Sequence, residues 1–207
     1  MELDDYLHIL RKSWVLILVT SLLSLGAAAG WSFMQTPKYE ATTQLFVSVR
    51  TGDTSVGDLS QGSSFAQQAV TSYVSIVDSA AVLDRVIDDL DLPMTRRELA
   101  KQVTADSPQD TVLINIQVTD ADPHQAVRIA DTTSAVLADV IVNNLEQTSE
   151  GAPTRVHVDV VQPAELPESP ASPKGPMNLL IGLACGVLLG GAAALLRNTL
   201  DTKVRSK

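Results

Sequence analysis

The sequence predicts an α/β domain held between two membrane-spanning helices. Two apolar runs free of charge, residues 13–33 and 177–196, lie towards the two ends of the 207-residue chain. At about 1.5 Å of rise per residue each makes a helix roughly 30 Å long, the thickness of a hydrocarbon core. Between them the apolar residues repeat first with a period of two and then with a helical period, in the order β-α-α-β-α-β. The chain divides accordingly into an amphipathic segment (1–12), a first span (13–34), an external domain (35–162), a proline-rich linker (163–176), a second span (177–196) and a basic tail (197–207).

The opening segment ELDDYLHILRKSW spaces Leu3, Tyr6, Leu7, Leu10 and Trp14 at helical intervals, as a helix lying on a membrane surface or in a partner's groove does. The first span could instead be a cleaved leader, with Arg11 and Lys12 as its basic region and Ala27, Ala28 and Ala29 as the small-residue site. Against this, the apolar run continues through Trp31 and Phe33, and the preceding segment is acidic; a retained anchor is expected. Arg11 and Lys12 before the first span, and Arg197, Lys203, Arg205 and Lys207 after the second, place both termini in the cytoplasm of a plasma-membrane protein. The central domain is then extracytoplasmic.

That domain opens with YEATTQLFVSV, whose Ala41, Thr43, Leu45, Val47 and Val49 share one face of a strand. RTGDTSVGDLSQGSS reads as a loop. Val70, Tyr73, Val74 and Val77 then fall on one helical face, and Val82, Leu83, Val86, Ile87 and Leu90 on another beyond Ser79. TRRELAKQV adds a short helix with Leu99 inward. Alternation returns at Val112, Ile114, Ile116 and Val118. The longest helical pattern follows, begun by Asp122 as N-cap, Pro123 in the first turn and Gln125 three residues after the cap, and ended by Gly151 and Pro153. RVHVDVV closes the domain as a strand through Val156, Val158 and Val160. The first and last strands each continue towards a span, so the spans should leave the domain side by side.

The stretch 34–176 carries 20 Asp and Glu against 9 Lys and Arg. This excess disfavours nucleic acid and anionic lipid or polymer as partners, and solubility accounts for it most simply. The lone cysteine, Cys185, lies in the second span and reads as a small packing residue, so no disulfide ties the external domain. His8, His124 and His157 have no partners at metal-ligand spacing, and the Asp88, Asp89, Asp91 cluster lacks a calcium-loop pattern. No P-loop or nucleophile elbow is present. No cofactor is expected, and an enzyme is not.

The spans carry a stronger signal. Gly26 and Gly30 form one Gly-x-x-x-Gly in the first; Gly182, Gly186 and Gly190 form two overlapping copies in the second. Residues four apart share a helix face, and glycine there admits a second backbone, either the other span or a neighbouring subunit. Pro163, Pro167, Pro170, Pro173 and Pro176 hold the linker extended, and Pro173 and Pro176 stop the second span's helix from growing outward.

Five segments in this order, LDDYLHILRKSW, YEATTQLFV, SYVSIVDSAAVLDRVIDDLDL, DADPHQAVRIAD and PAELPESPASPKGP, resemble the Wzz-type chain-length determinants, the polysaccharide co-polymerases, in their Gram-positive form. The resemblance implies homo-oligomers without chemistry of their own, which control how far a Wzy-type polymerase extends an exopolysaccharide or capsule chain. It matches the five prolines to the family's proline-rich motif, and Asp122, Pro123, Ala126 and Ala130 to the start of the long helix. It also implies a cytoplasmic tyrosine kinase, separate or fused beyond this chain, as the partner of the tail 198–207, with Arg197, Lys203, Arg205 and Lys207 at the contact. The external domain is short for a tall cage. A two-span sensor or kinase adaptor with a ligand-binding external domain is the other reading the residues allow.

Overall fold

The structure, a computed structural model, describes residues 13–49, 66–145 and 156–202. In chain order its elements are α1 (Trp14–Met34), β1 (Tyr39–Val49), α2 (66–74), α3 (Ala80–Leu90), α4 (Arg96–Leu99), β2 (Val103–Asp106), β3 (Leu113–Asp120), α5 (Pro123–Val140), β4 (Val156–Gln162) and α6 (Gly175–Thr202). They divide into two units, Lys38–Pro170 and the paired terminal segments Met1–Pro37 with Ala171–Lys207. The expected opening amphipathic segment, the glycine-rich loop and the Gly151–Pro153 stop lie outside the described residues.

The central unit is a four-stranded sheet in the order β2-β3-β1-β4, with every neighbouring pair antiparallel. Alternation decides which side chains enter the core. Ala41, Thr43, Leu45 and Val47 of β1 are fully or almost fully buried, as are Ile114, Ile116 and Val118 of β3. Val70, Tyr73 and Val77, Val82, Leu83 and Val86, and Ala126, Ile129, Ala130 and Leu137 bring the helices onto that same face. Burying each large aliphatic side chain stabilises the unit by about 1.5–3 kcal/mol.

The sheet has a strand that the sequence reading lacks. TRRELAKQV ends as a helix at Leu99, and the chain from Val103 pairs with β3 as an edge strand, Val103 facing Val118. Its four residues are too short a run to show a period, and only Val103 is buried. The start of α4 is fixed locally. The Thr95 N–H and Oγ1 both donate to Oε2 of Glu98 at 2.8 Å, which fixes the helix start. The Leu99 side chain then seats in the core. The two bonds from Thr95 hold the Glu98 carboxyl below its ordinary range, aided by Lys101.

Two other expectations fail at particular residues. Val160 is 44% exposed, although it continues the Val156, Val158 alternation. Val160 keeps the register of Val156 and Val158 opposite Leu45, on the edge strand of the sheet; beyond it Gln162 opposes Gln44, leaving Val161 without a partner across the strand as a bulge. The long helix begins as expected, with the Asp122 carboxylate accepting the His124 N–H at 2.9 Å and Pro123 at its first position. The Asp122 N–H, however, donates to Asp120 Oδ1 at 2.8 Å, so Gln125 is not the reciprocal partner. At Ile141–Leu145 the helix widens into a π turn that keeps Ile141 buried.

β1 and β4 are adjacent and antiparallel, so Tyr39 and Gln162, the first residue of the first strand and the last of the last, lie towards one end of the sheet. The other face of the sheet is polar. Gln44 Nε2 donates to Asn115 Oδ1 at 2.7 Å, and Asn115 Nδ2 to Asp106 Oδ2 at 3.1 Å, a side-chain ladder across three strands.

Candidate functional site

α1 and α6 are long and apolar enough to cross a membrane. They form an antiparallel hairpin whose seam is built from small residues. A Cβ added at Gly182 would lie 2.6 Å from Ala28 Cβ; at Gly186, 2.6 Å from Ser21 Cα and 3.1 Å from the Thr20 carbonyl oxygen; at Gly190, 2.8 Å from Ile17 Cα and against Thr20 Oγ1. Real side chains do not approach backbone so closely, so glycine at these positions is what lets the two helices meet. Ala194, four residues on, is fully buried and continues the stripe.

Hydroxyls join the backbones where glycine permits. Ser24 Oγ donates to the Gly182 carbonyl at 2.7 Å, and Thr20 Oγ1 lies 3.2 Å from the Gly186 carbonyl while also reaching the Leu16 and Ile17 carbonyls of its own helix. Near the Pro176 end, Asn178 Nδ2 donates to Ser32 Oγ at 3.4 Å. The large side chains face outward instead. Leu18, Leu22, Leu23, Leu180, Leu188 and Leu189 are all exposed, and so are Trp14 and Trp31. Small and hydroxylated within, large and apolar without, is the arrangement that lipid requires.

Among the glycines singled out from sequence, Gly182, Gly186 and Gly190 therefore meet α1 of the same chain. Gly26 and Gly30 do not: nothing within 4 Å would meet a Cβ at either. Cys185 is exposed rather than packed, because it lies one position away from the Gly186 face. Thr20 and Ser24 complete the seam, and neither stood out in the sequence; their spacing of four, shared with Gly182 and Gly186, is the signal that could have found them.

The proline-rich linker carries neither helix nor strand over 163–170, as its prolines demand. Its first residues are tied down: the Ala164 N–H donates to Asp131 Oδ1 of α5 at 2.8 Å, a contact absent from any sequence pattern. Pro173 and Pro176 bracket the start of α6. The helix begins at Gly175, beyond Pro173, and Pro176 sits in its first turn, where a proline lacks only an N–H that the helix would not use. Of the cations expected at a kinase contact, Arg197 lies on α6 and is exposed, while Lys203, Arg205 and Lys207 lie outside the described residues. Among the described residues no group of His, Cys, Asp or Glu is gathered as a metal site. His157 Nε2 is 3.1 Å from Asp159 Oδ1 on the exposed side of β4.

Residues 1–90 match the family model described as Wzz, chain length determinant protein. The whole chain is 30% identical to the probable capsular polysaccharide biosynthesis protein YwqC of Bacillus subtilis (strain 168), over 81% of that protein. The chain belongs to the Wzz chain-length determinant family. Capsular polysaccharide biosynthesis protein CpsC of Streptococcus pneumoniae is 29% identical over 97% of this Wzz-family chain and 86% of its own. CapA of Staphylococcus aureus (strain COL), another capsular polysaccharide biosynthesis protein, is 24% identical over 100% and 90%. Among solved structures, a full-length bacterial polysaccharide co-polymerase superposes with a TM-score of 0.54 at 12% identity, both chains covered in full; this is a likeness of fold. The glycine-lined hairpin and the sheet unit of the Wzz-family chain thus both lie within the regions matched to its relatives.

Proposed function

We propose that this chain is a membrane-anchored co-polymerase that regulates the chain length and export of an exopolysaccharide or capsule. It acts as a homo-oligomer with a Wzy-type polymerase and a cytoplasmic tyrosine kinase. The observation that carries the reading is the extent of the likeness: both spans and the intervening unit align together with proteins of capsular polysaccharide biosynthesis. A protein sharing only an external sensor module would align over that module alone.

The geometry and the charges support a division of labour. α1 is retained as an anchor, because cleavage at Ala27–Ala29 would remove the surface that Gly182, Gly186 and Gly190 fit. The basic flanks support a topology with both termini in the cytoplasm and the Lys38–Pro170 unit outside. With the subunit's own seam filled by the α6 glycines, the unused Gly26 and Gly30 face of α1 is left for a neighbouring subunit. Arg197 and the basic tail meet the kinase, and the five prolines set the spacing between the external unit and the second span.

The test is the size distribution of cell-associated and released polysaccharide with the gene deleted and then restored. Loss of the long-chain population on deletion, recovered on restoration, is the expected outcome. An unchanged distribution would refute the chain-length role and favour a two-span sensor or adaptor.

A further inference from the structure

A groove of about 400 Å³ opens on the Lys38–Pro170 unit between α2 and the loop joining β2 to β3. Gln67, Gln68 and Thr71 line it from the helix, and Ser107, Asp110 and Thr111 from the loop. The loop is held in shape. Thr111 Oγ1 donates to the Pro108 carbonyl at 2.8 Å, Gln67 Nε2 donates to the Asp110 carbonyl at 3.3 Å, and Asp110 sits at φ 59°, in the left-handed region. The helix side is fixed by Val70 and Tyr73, buried on the opposite face of α2. Both walls are thus set before anything enters.

The chemistry of the walls selects the guest. Amides and hydroxyls can each donate and accept, and they dominate the lining. Among the described residues no lysine, arginine, histidine or aromatic ring lines the groove, and Asp110 is the one ionisable group there. An anion would meet no counter-charge in an acidic unit, a cation would find a single carboxylate, and an apolar guest would strand the amides without partners. A chain of uncharged hydroxyl groups, each also donor and acceptor, satisfies them. The volume lies within the range of small-molecule clefts, about 300–1,000 Å³. We propose that this groove binds a short run of neutral sugar residues. The assignment stands on the lining; its relevance to polymer length rests on the function proposed above.

The experiment uses the full chain in lipid nanodiscs. Surface polysaccharide of the producing cells is hydrolysed to short fragments, separated into uncharged and charged pools, and examined by saturation-transfer NMR. The uncharged pool should bind, and Gln68→Ala with Thr71→Ala should weaken it about tenfold, as the loss of a pair of hydrogen bonds does. Thr71→Trp, which fills the groove from an exposed helix position, should abolish it, with backbone amide spectra otherwise unchanged. No binding by the uncharged pool, binding by the charged pool alone, or binding that survives these substitutions would each overturn the proposal. If the fragments fail to bind while gene deletion still collapses the polymer, the groove is removed and the chain-length reading stands. The reverse result removes that reading and leaves the groove.

Discussion

Gly186→Ala is the smallest perturbation that addresses the span hairpin. The new methyl would lie 2.6 Å from Ser21 Cα, 2.9 Å from Ser24 Cβ and 3.1 Å from the Thr20 carbonyl oxygen. Ordinary carbon contacts are about 3.5–4.0 Å, so α6 must retreat by roughly 1 Å, and two of the three obstacles are backbone atoms that cannot rotate aside. The retreat also lengthens the Ser24 and Thr20 bonds to α6, now 2.7 and 3.2 Å. Overpacking costs about 1–3 kcal/mol and an interhelical hydrogen bond within a membrane about 0.6 kcal/mol. Alanine's better helix propensity offsets up to about 1 kcal/mol, but Gly26→Ala carries the same gain and meets nothing within 4 Å. Their difference therefore isolates the clash: Gly186→Ala should be less stable than Gly26→Ala by about 2–3 kcal/mol, a factor of about 30–150 in the equilibrium. Unfolding of the full chain in mixed micelles by titration with SDS measures it, followed by the fluorescence of Trp14 and Trp31, both on α1. Equal midpoints for the two variants would refute the seam.

Gly26→Leu should not lower that unfolding midpoint but should lower the oligomer mass in detergent, measured by light scattering; an unchanged mass would remove the Gly26–Gly30 face from the subunit contact. Leu83→Ala, at a fully buried position, should destabilise the external unit by about 2–5 kcal/mol in chemical denaturation of the full chain. Asp91 caps α3 with φ 48°, a left-handed conformation that suits glycine, so Asp91→Gly should stabilise by about 0.5–1 kcal/mol, and a loss of stability would contradict it. Glu98 is held below its ordinary range by its bonds from Thr95, and Asp139 by its bonds from Asn143 and Arg85. The stability these carboxylates lend is complete above their unfolded values and is lost as pH falls through the folded ones. Glu98→Gln should flatten the acid side of the stability–pH curve; an unaltered curve would count against the Thr95 bonds.

Sequence by itself determined whatever depends on the spacing of apolar and small residues along one element. The buried faces of β1, β3 and α3 follow from local period, because burial on one face imposes a repeat of two or of about 3.6; the two uncharged runs and the Asp122–Pro123 helix start are equally local, resting on composition and capping. Tertiary structure decided what depends on a partner distant in the chain. β2 is a strand because β3 offers it an open edge, and Val160 is exposed on the edge strand β4 although it stands opposite buried Leu45. Asp131 matters because Ala164 comes to lie beside it. The same Gly-x-x-x-Gly spacing marks both spans, yet only Gly182, Gly186 and Gly190 meet a backbone within the chain. Spacing records that a face is small; what approaches that face is set by which residues of the other helix arrive there, and Ser21, Ser24 and Thr20 arrive only once the hairpin closes.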